Sequence, residues 1–353
     1  MGFTTILIIL GSDVVRTHTL RRLGKILGVK IKAGPNLKKS IKSLMPPSLL
    51  SMLRTVNAIA HFKGSAHVAK FALRIRVWGT SSTFEKKILR KMAFDRNPMM
   101  VIYADKVKVR EFVRQRVGKE YLTISFGEFF SLKSLDRNTL PKNFVLKSNH
   151  GSGGSVICWE RAPRGTRISK NLSNVSWEKY LIHPDDLDWQ DLVSLSDKWL
   201  SLNYFWTFGR FPEWAYKGIK PMILAEELLL ENNDLPSDYK FHMIDGKCAF
   251  IQVDVARYGH HQRNLYSEDW KLLNARTSHP PVADFLPSPS SLCEMVKVAQ
   301  EISKGIDFIR VDLYAISGRV IFGEMTNYPN GGIAEIWPKS LNINLAKNWV
   351  QNY

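Results

Sequence analysis

The segment near the C-terminus limits most severely what this chain can be. It runs Arg310-Val311-Asp312-Leu313-Tyr314, then Ser317-Gly318, then Phe322-Gly323-Glu324-Met325-Thr326. Val311 to Ala315 and Arg319 to Glu324 are rich in β-formers, and Ser317-Gly318 marks a turn, so the segment reads as a β-hairpin. Side chains alternate across a strand, so register decides whether Arg310, Asp312 and Glu324 share a face. A two-residue turn at Ser317-Gly318 would pair Asp312 with Gly323 and send Glu324 to the other face. A three-residue loop Ile316-Ser317-Gly318, with Gly318 left-handed in a G1 bulge, sets Arg310 opposite Glu324 and Asp312 diagonal to it on one face. Diagonal neighbours lie about 7–8 Å apart, a reach over which two carboxylates can share one or two Mg²⁺ ions. The bulged turn is the predicted one.

A counterpart lies far upstream in Phe144-Val145-Leu146-Lys147-Ser148-Asn149-His150-Gly151-Ser152-Gly153-Gly154. A β-rich run ends in a lysine and a glycine-rich loop. Lys147 can reach a phosphate, and glycines let backbone N–H groups approach an anion. The loop does not match the P-loop pattern, and there is no protein-kinase glycine spacing or H-R-D loop. A cation with two carboxylates in one place and a lysine with a glycine loop in another together point to a nucleotide site.

A chain of 353 residues has room for two or three domains. Its net charge of +18 is unevenly placed: residues 1–120 hold 25 Lys and Arg against 6 Asp and Glu (+19), and the rest 25 against 26 (−1). The basic third calls for an anionic partner, either phospholipid headgroups or a lipid-phosphate-linked substrate, with nucleic acid the least favoured. Cys158, Cys248 and Cys293 are far apart without metal spacing, which fits a reducing compartment. The apolar run Phe3–Leu10 is too short to span a bilayer and reads as a buried strand, and no later run reaches about 18 apolar residues. The expectation is a cytoplasmic protein, at most peripheral at the inner face of a membrane.

The basic region carries helical stretches at Ser48–Phe62 and Ala66–Trp78. An amphipathic helix is predicted from Asp105. Residues 162–203 read as helix and loop, 222–230 as an apolar run with two carboxylates, Tyr239–Ile244 and Ala249–Val255 as strands joined by Asp245-Gly246, and Ser290–Ile306 as a helix. Interspersed strands and helices make the fold class α+β. Three further clusters carry chemistry. Arg257 and Arg263, beside Asp254, could clamp a substrate carboxylate or phosphate. His260-His261 fits a surface or substrate contact. Asp185-Asp186-Leu187-Asp188 resembles the D-x-D of metal-dependent sugar-nucleotide transferases, and so carries the alternative of a glycosyltransferase. A non-catalytic nucleotide- or polyanion-binding protein is the third possibility.

Taken in order, the pieces resemble the TupA-like group of ATP-grasp enzymes, found in bacterial surface-polysaccharide gene sets. They are Asp105-Lys106, Val109–Val113, Phe144–Gly154 with Val156–Cys158, Glu226-Glu227, Asp238–Phe241, Asp307–Tyr314 and Phe322–Pro329, covering roughly residues 85–350. The resemblance implies an ATP-grasp fold, with two α+β subdomains (86–225 and 226–353) holding ATP between them and a basic, mostly helical region before them (1–85). It implies that Lys106 and Lys147, with Lys240, hold ATP and that the loop Gly151, Ser152, Gly153, Gly154 closes over the phosphates. Glu226 and Glu227 would lie at the adenine hinge. Asp312 and Glu324 would bind Mg²⁺ and Arg310 would stabilise a charged intermediate. Where many ATP-grasp ligases have asparagine two residues after the metal glutamate, this chain has Thr326, with Asn327 next. The implied chemistry joins an amine to a carboxylate through an acyl phosphate, for example an amino acid to a uronic acid.

Overall fold

A computed structural model describes residues 82–353, apart from residues 174, 207–212, 257–258 and 284–285 and the side chain of Trp206. The expectations for the basic region up to residue 81, and the substrate role of Arg257, lie outside the described residues. Residues 82–353 form one compact unit containing two five-stranded sheets, a mixed α+β architecture.

Helix α1 (Phe84–Phe94), α2 (Met99–Ala104) and α3 (Lys108–Val117) precede the first sheet. The helix predicted from Asp105 begins three residues later, because the Asp105 carboxylate accepts hydrogen bonds from the Val107 and Lys108 amides and so serves as the entry to α3.

The first sheet has the order β1-β5-β2-β3-β4. Its strands are β1 (Ser125–Phe129), β2 (Phe144–Ser148), β3 (Ser155–Cys158), β4 (Lys179–Ile182) and β5 (Ile223–Glu227). β4 runs parallel to β3 inside the stretch expected to be helix and loop. Four residues are too short for a period to show, and only pairing with β3 makes them a strand. Phe144, Leu146, Val156, Cys158 and Ile182 pack on Leu192, Leu195 and Trp199 of α4 (Trp189–Ser201). Alternation therefore turns Val145, Lys147, Ser155, Ile157, Lys179 and Leu181 to the opposite face.

The second sheet, β10-β9-β6-β7-β8, is antiparallel throughout. It contains β6 (Asp238–Ile244), β7 (Lys247–Val255), β8 (Gln262–Tyr266), β9 (Phe308–Ile316) and β10 (Arg319–Thr326). Phe241, Met243, Ile251, Val253, Ile309, Val311 and Leu313 form its core face, under α3 and α5 (Leu292–Ser303). The other face carries Asp238, Lys240, Asp254, Arg263, Arg310 and Asp312, all buried. A last helix, α6 (Lys339–Asn348), is tied to α1 by Asn342, which accepts from the Phe84 amide at 2.7 Å and donates to Glu85 at 2.8 Å.

The β9–β10 hairpin corrects the predicted register. Ile316 pairs with Arg319 around a two-residue turn, with Ser317 (φ 49°) and Gly318 (φ 80°) both left-handed. Such a turn matches the strand twist, so no bulge forms at Gly318. The bulge instead falls between Phe322 and Glu324, and it returns Glu324 to the face of Asp312, directly opposite it. Arg310 pairs with Thr326, not with Glu324. Gly323 permits the bulge: a Cβ there would lie 2.9 Å from the Tyr314 ring and 3.2 Å from the Asp312 carbonyl oxygen. A Cβ on Gly318 would meet nothing within 4 Å. Gly323→Ala is therefore expected to lose about 1–3 kcal/mol by overpacking, and to abolish binding at the carboxylate pair. Gly318→Ala should lose about 1 kcal/mol of left-handed strain and leave binding intact. Urea unfolding and Mn²⁺ titration of the two variants distinguish these effects; equal behaviour would refute the bulge as the determinant.

Candidate active site

The faces of the two sheets turned away from their apolar cores border a cleft of about 580 Å³, within the range typical of small-molecule sites. Its apolar wall comes from Val145, Ile157, Leu181 and Leu228, which pack with Trp159, Ala162 and Leu235. The polar part is lined by Lys106, Lys147, Ser152, Gly153, Lys179, Asp238, Asp312 and Glu324. The lining thus offers apolar surface to a flat group, and cations and carboxylates to phosphate and a divalent cation.

On the second sheet, the Arg310 guanidinium donates to both oxygens of Asp312 at 2.6 and 2.8 Å, and to Glu324 at 2.9 Å. Burial works to raise the Asp312 pKa, and Arg310 and Lys240 offset this only in part. Burial also opposes charge on Glu324. There the combined field of Arg310, Lys106, Lys179 and Lys240 outweighs it and holds the carboxyl at about 2. The Thr326 hydroxyl stands 3.4 Å from Glu324, whereas Asn327 turns away and donates to the Met100 carbonyl at 2.9 Å. Of the two candidates for a third ligand, Thr326 alone is beside the carboxylates.

The donor set fits Mg²⁺. Two carboxylates face each other across β9 and β10, both at the cleft wall, and all their donors are hard oxygens. Among the described residues no three His, Cys, Asp or Glu converge as a metal cluster. An ion here would take the rest of its shell from water and phosphate, the usual arrangement for Mg²⁺.

On the first sheet, Lys147 pairs with Glu226 at 2.7 Å. Glu226 also accepts from Arg110 at 2.7 Å and from the Thr123 hydroxyl. Burial penalises its charge, but Lys147, Thr123 and Arg110 outweigh the penalty and hold its pKa below the usual glutamate value. Glu226 thus anchors Lys147. Of the pair expected at the adenine hinge, Glu227 is the one at the cleft, where its carboxylate accepts from the Ile124 amide at 2.7 Å.

The glycine loop needs its glycines for close packing on Trp177. A Cβ on Gly151 would lie 2.6 Å from the Trp177 ring, and one on Gly153 (φ 97°) would strike the Trp177 carbonyl oxygen. Ser152 and Gly153 line the cleft, while Gly151 and Gly154 lie behind them. Asn149, fully buried, organises the base of the loop. Its amide donates to Asp105 at 2.9 Å and to the Lys220 carbonyl at 3.0 Å, and its side-chain oxygen accepts from the Met222 amide at 2.8 Å. Its carbonyl accepts from the Lys106 amide at 3.1 Å. The Lys106 ammonium donates to the Gly151 carbonyl. Burial, helped by Lys147 and Lys179, pulls the Lys106 pKa down to about 8 against the opposing pull of Glu324.

Other expected site residues are engaged elsewhere. Arg263, expected as a substrate clamp, is buried and bidentate to Asp254 at 2.5 and 3.0 Å and does not line the cleft. Lys240 lies inside the carboxylate row instead of at the cleft wall, within 3.3 Å of Asp238 and Asp254 and 3.8 Å of Asp312. His261 packs against His279 with centroids 3.8 Å apart and the rings tilted by 31°. The acidic cluster is structural: Asp185 and Asp186 bind Arg164, and Asp188 caps α4 through the Gln190 and Asp191 amides. Sequence reasoning alone does not single out Lys179, Thr123 or Asn149. Asn149 sits within the glycine-loop motif, but nothing local marks Lys179.

The TupA-like ATPgrasp family matches residues 85–350. No curated protein matches the chain. Similar solved structures include the D-alanine–D-alanine ligase of Bacillus anthracis complexed with ATP (15% identity, TM-score 0.35, covering 65% of this chain and 56% of that one). The L-amino acid ligase of Bacillus licheniformis is 14% identical, with a TM-score of 0.39, covering 77% and 57%. The ATP-grasp ligase PsnB, complexed with minimal precursor, Mg and ADP, is 11% identical, with a TM-score of 0.33, covering 78% and 66%. The chain thus spans less than two thirds of the length of each of these ligases.

The Glu226 anchor sets a pH-dependent stability. Its folded pKa is depressed, so its contribution is present above the ordinary glutamate value of about 4.3 and is lost as pH falls through the folded value. Glu226→Gln should be about 2 kcal/mol less stable than wild type at pH 7, since it leaves Arg110 and Lys147 facing a neutral group. That gap should shrink below pH about 4.3. Denaturant unfolding from pH 3.5 to 8 checks it, and a gap that widens on acidification would contradict the assignment.

Proposed function

We propose, because this chain belongs to the TupA-like ATP-grasp family, that it is an ATP-dependent carboxylate–amine ligase. The observation that carries this reading is the Asp312 and Glu324 carboxylates, held from behind by Arg310, at one wall of a cleft whose other wall presents Lys106, Lys147 and the glycine loop. Lysines and a glycine loop serve a polyphosphate, two carboxylates serve Mg²⁺, and the apolar wall serves an adenine ring. Bound at Asp312 and Glu324, Mg²⁺ would supply neutralisation of phosphate charge.

In the proposed reaction a substrate carboxylate oxygen attacks the γ-phosphorus of ATP. The bond to the β-phosphate oxygen breaks, releasing ADP and leaving an acyl phosphate. The amine nitrogen then attacks the acyl carbon, the C–O bond to phosphate breaks with release of inorganic phosphate, and the amine proton passes to solvent. Lys106 and Lys147 orient the transferring phosphoryl group, and Arg310, behind the cleft wall on Asp312 and Glu324, adds its positive field to the negative charge that develops on the acyl oxygens. Glu226 and Asn149 hold the two lysines in place. Walls of Val145, Ile157 and Leu181 exclude water, which would otherwise hydrolyse the acyl phosphate. By family resemblance the pathway is that of a cell-surface polysaccharide, with an amino acid joined to a uronic acid as a suitable pair.

ADP release should require both an amine and a carboxylate when mixed amino acids and acidic sugars are supplied. Lys147→Ala and Glu324→Gln should each lower kcat at least about 100-fold, the scale of removing a transition-state charge contact. Unchanged turnover in both would refute the site. Lys106 is protonated below its pKa of about 8, so kcat/KM for ATP should fall as pH rises past that value. In Lys106→Arg the fall should disappear. A wild-type profile flat to pH 10 would contradict the role of Lys106.

A further inference from the structure

The second sheet carries more buried charge than the proposed chemistry uses. Asp254 and Arg263 stand opposite each other on β7 and β8, and Asp238 pairs with Asp254 from β6. Side-chain exposure is 2% for Asp254, 5% for Arg263 and 5% for Lys240. Arg263 fixes both Asp254 oxygens, and Gln252 donates to them at 3.2 and 3.1 Å. His261 approaches Asp254 at 3.4 Å. Asp254 is thereby held with its second oxygen 3.3 Å from the Lys240 ammonium.

Lys240 is the member of this row with freedom to choose. Its buried ammonium makes no well-formed hydrogen bond. It hangs between Asp238 and Asp254, each at 3.3 Å, and Asp312 at 3.8 Å. Lys240 and Asp312 are directly paired across β6 and β9, so a small rotation would tighten their 3.8 Å contact into a direct hydrogen-bonded ion pair. Asp312 already accepts two bonds from Arg310. A second cation seated on it would take up another of its lone pairs and oppose the charge of an incoming metal ion.

We propose that Asp254, clamped by Arg263, is a positioning residue that holds Lys240 off Asp312 and so keeps the Asp312 carboxylate available to a divalent cation. This rests on the assignment of Asp312 and Glu324 as cation ligands. With the neighbouring carboxylate neutralised, Lys240 shifts to Asp312, and an incoming ion must displace two cations instead of one. Partners behind metal ligands typically change metal affinity by about 10–100-fold.

The test is Mn²⁺ binding to the full chain without nucleotide, read from the loss of the free-ion EPR signal. Asp254→Asn/Arg263→Gln removes the pair without stranding either charge, and should weaken Mn²⁺ binding about tenfold. Lys240→Gln should bind Mn²⁺ more tightly than wild type, a gain that damage to the fold would not produce. In the Lys240→Gln background, the Asp254→Asn/Arg263→Gln exchange should have no further effect. Wild-type affinity in a cooperatively folded Asp254→Asn/Arg263→Gln protein would overturn the proposal, as would weakened binding in Lys240→Gln. If the double exchange fails to fold, the Lys240→Gln result decides alone. If wild type binds no Mn²⁺, or Glu324→Gln binds it as wild type does, the cation site itself has failed and the positioning role falls with it.

Discussion

Everything at the cleft depends on a row of alternating charges laid across one sheet face, buried except for Glu324 at the cleft. From β8 to β10 it reads Arg263, Asp254, Lys240, Asp312, Arg310 and Glu324. Antiparallel pairing brings these residues side by side, and burial makes each charge depend on the next. Such rows are poor sources of stability: a buried ion pair roughly breaks even against well-packed apolar residues, while removing one partner costs about 3–5 kcal/mol. A sheet that keeps one gains an ordered set of carboxylates in low dielectric, where they act strongly on a phosphate or a cation.

The same physics sets the opposite wall. Lys147 is held by Glu226, which Arg110 and Thr123 also engage, so a single buried carboxylate connects α3, β2 and β5. Asn149 does the equivalent for Lys106 and the glycine loop: its side-chain amide engages Asp105 and Met222, and its carbonyl accepts from the Lys106 amide. Neither residue lines the cleft, and each fixes one that does. The glycines have two duties: Ser152 and Gly153 present the loop to the cleft, while Gly151 and Gly153 let it lie against Trp177.

Much of this is legible in the sequence. The alternation Ile309-Arg310-Val311-Asp312-Leu313 announces a strand with an apolar and a charged face, and that strand is β9. Lys147 at the end of a β-rich run, followed by glycines, is a strand and loop at the cleft. What misleads is local. Gly318 looks like the bulge glycine because turns favour glycine, yet the bulge sits at Gly323, inside a strand, where the Tyr314 ring leaves no room for a side chain. Asp185, Asp186 and Asp188 look like a metal motif and are used up by Arg164 and a helix cap. Arg263 looks like a substrate clamp and is spent on Asp254.

The sequence by itself determined which residue types share a face along an unbulged strand such as β9, because a period of two needs no partner to be read, and it determined the order of the family's pieces; the face of Glu324 was set by the bulge at Gly323. The tertiary structure alone decided what each charge does. An ionised side chain is defined by its nearest opposite charge, and here those neighbours come from far along the chain: Glu226 to Lys147, Arg110 and Thr123, Asp312 to Lys240, Glu324 to the field of Lys106 and Lys179. Lys106, Lys147 and Lys179 reach the cleft, whereas Lys240 and Arg263 serve behind it. That difference arises from which groups burial leaves within about 4 Å, a distance that no linear spacing encodes.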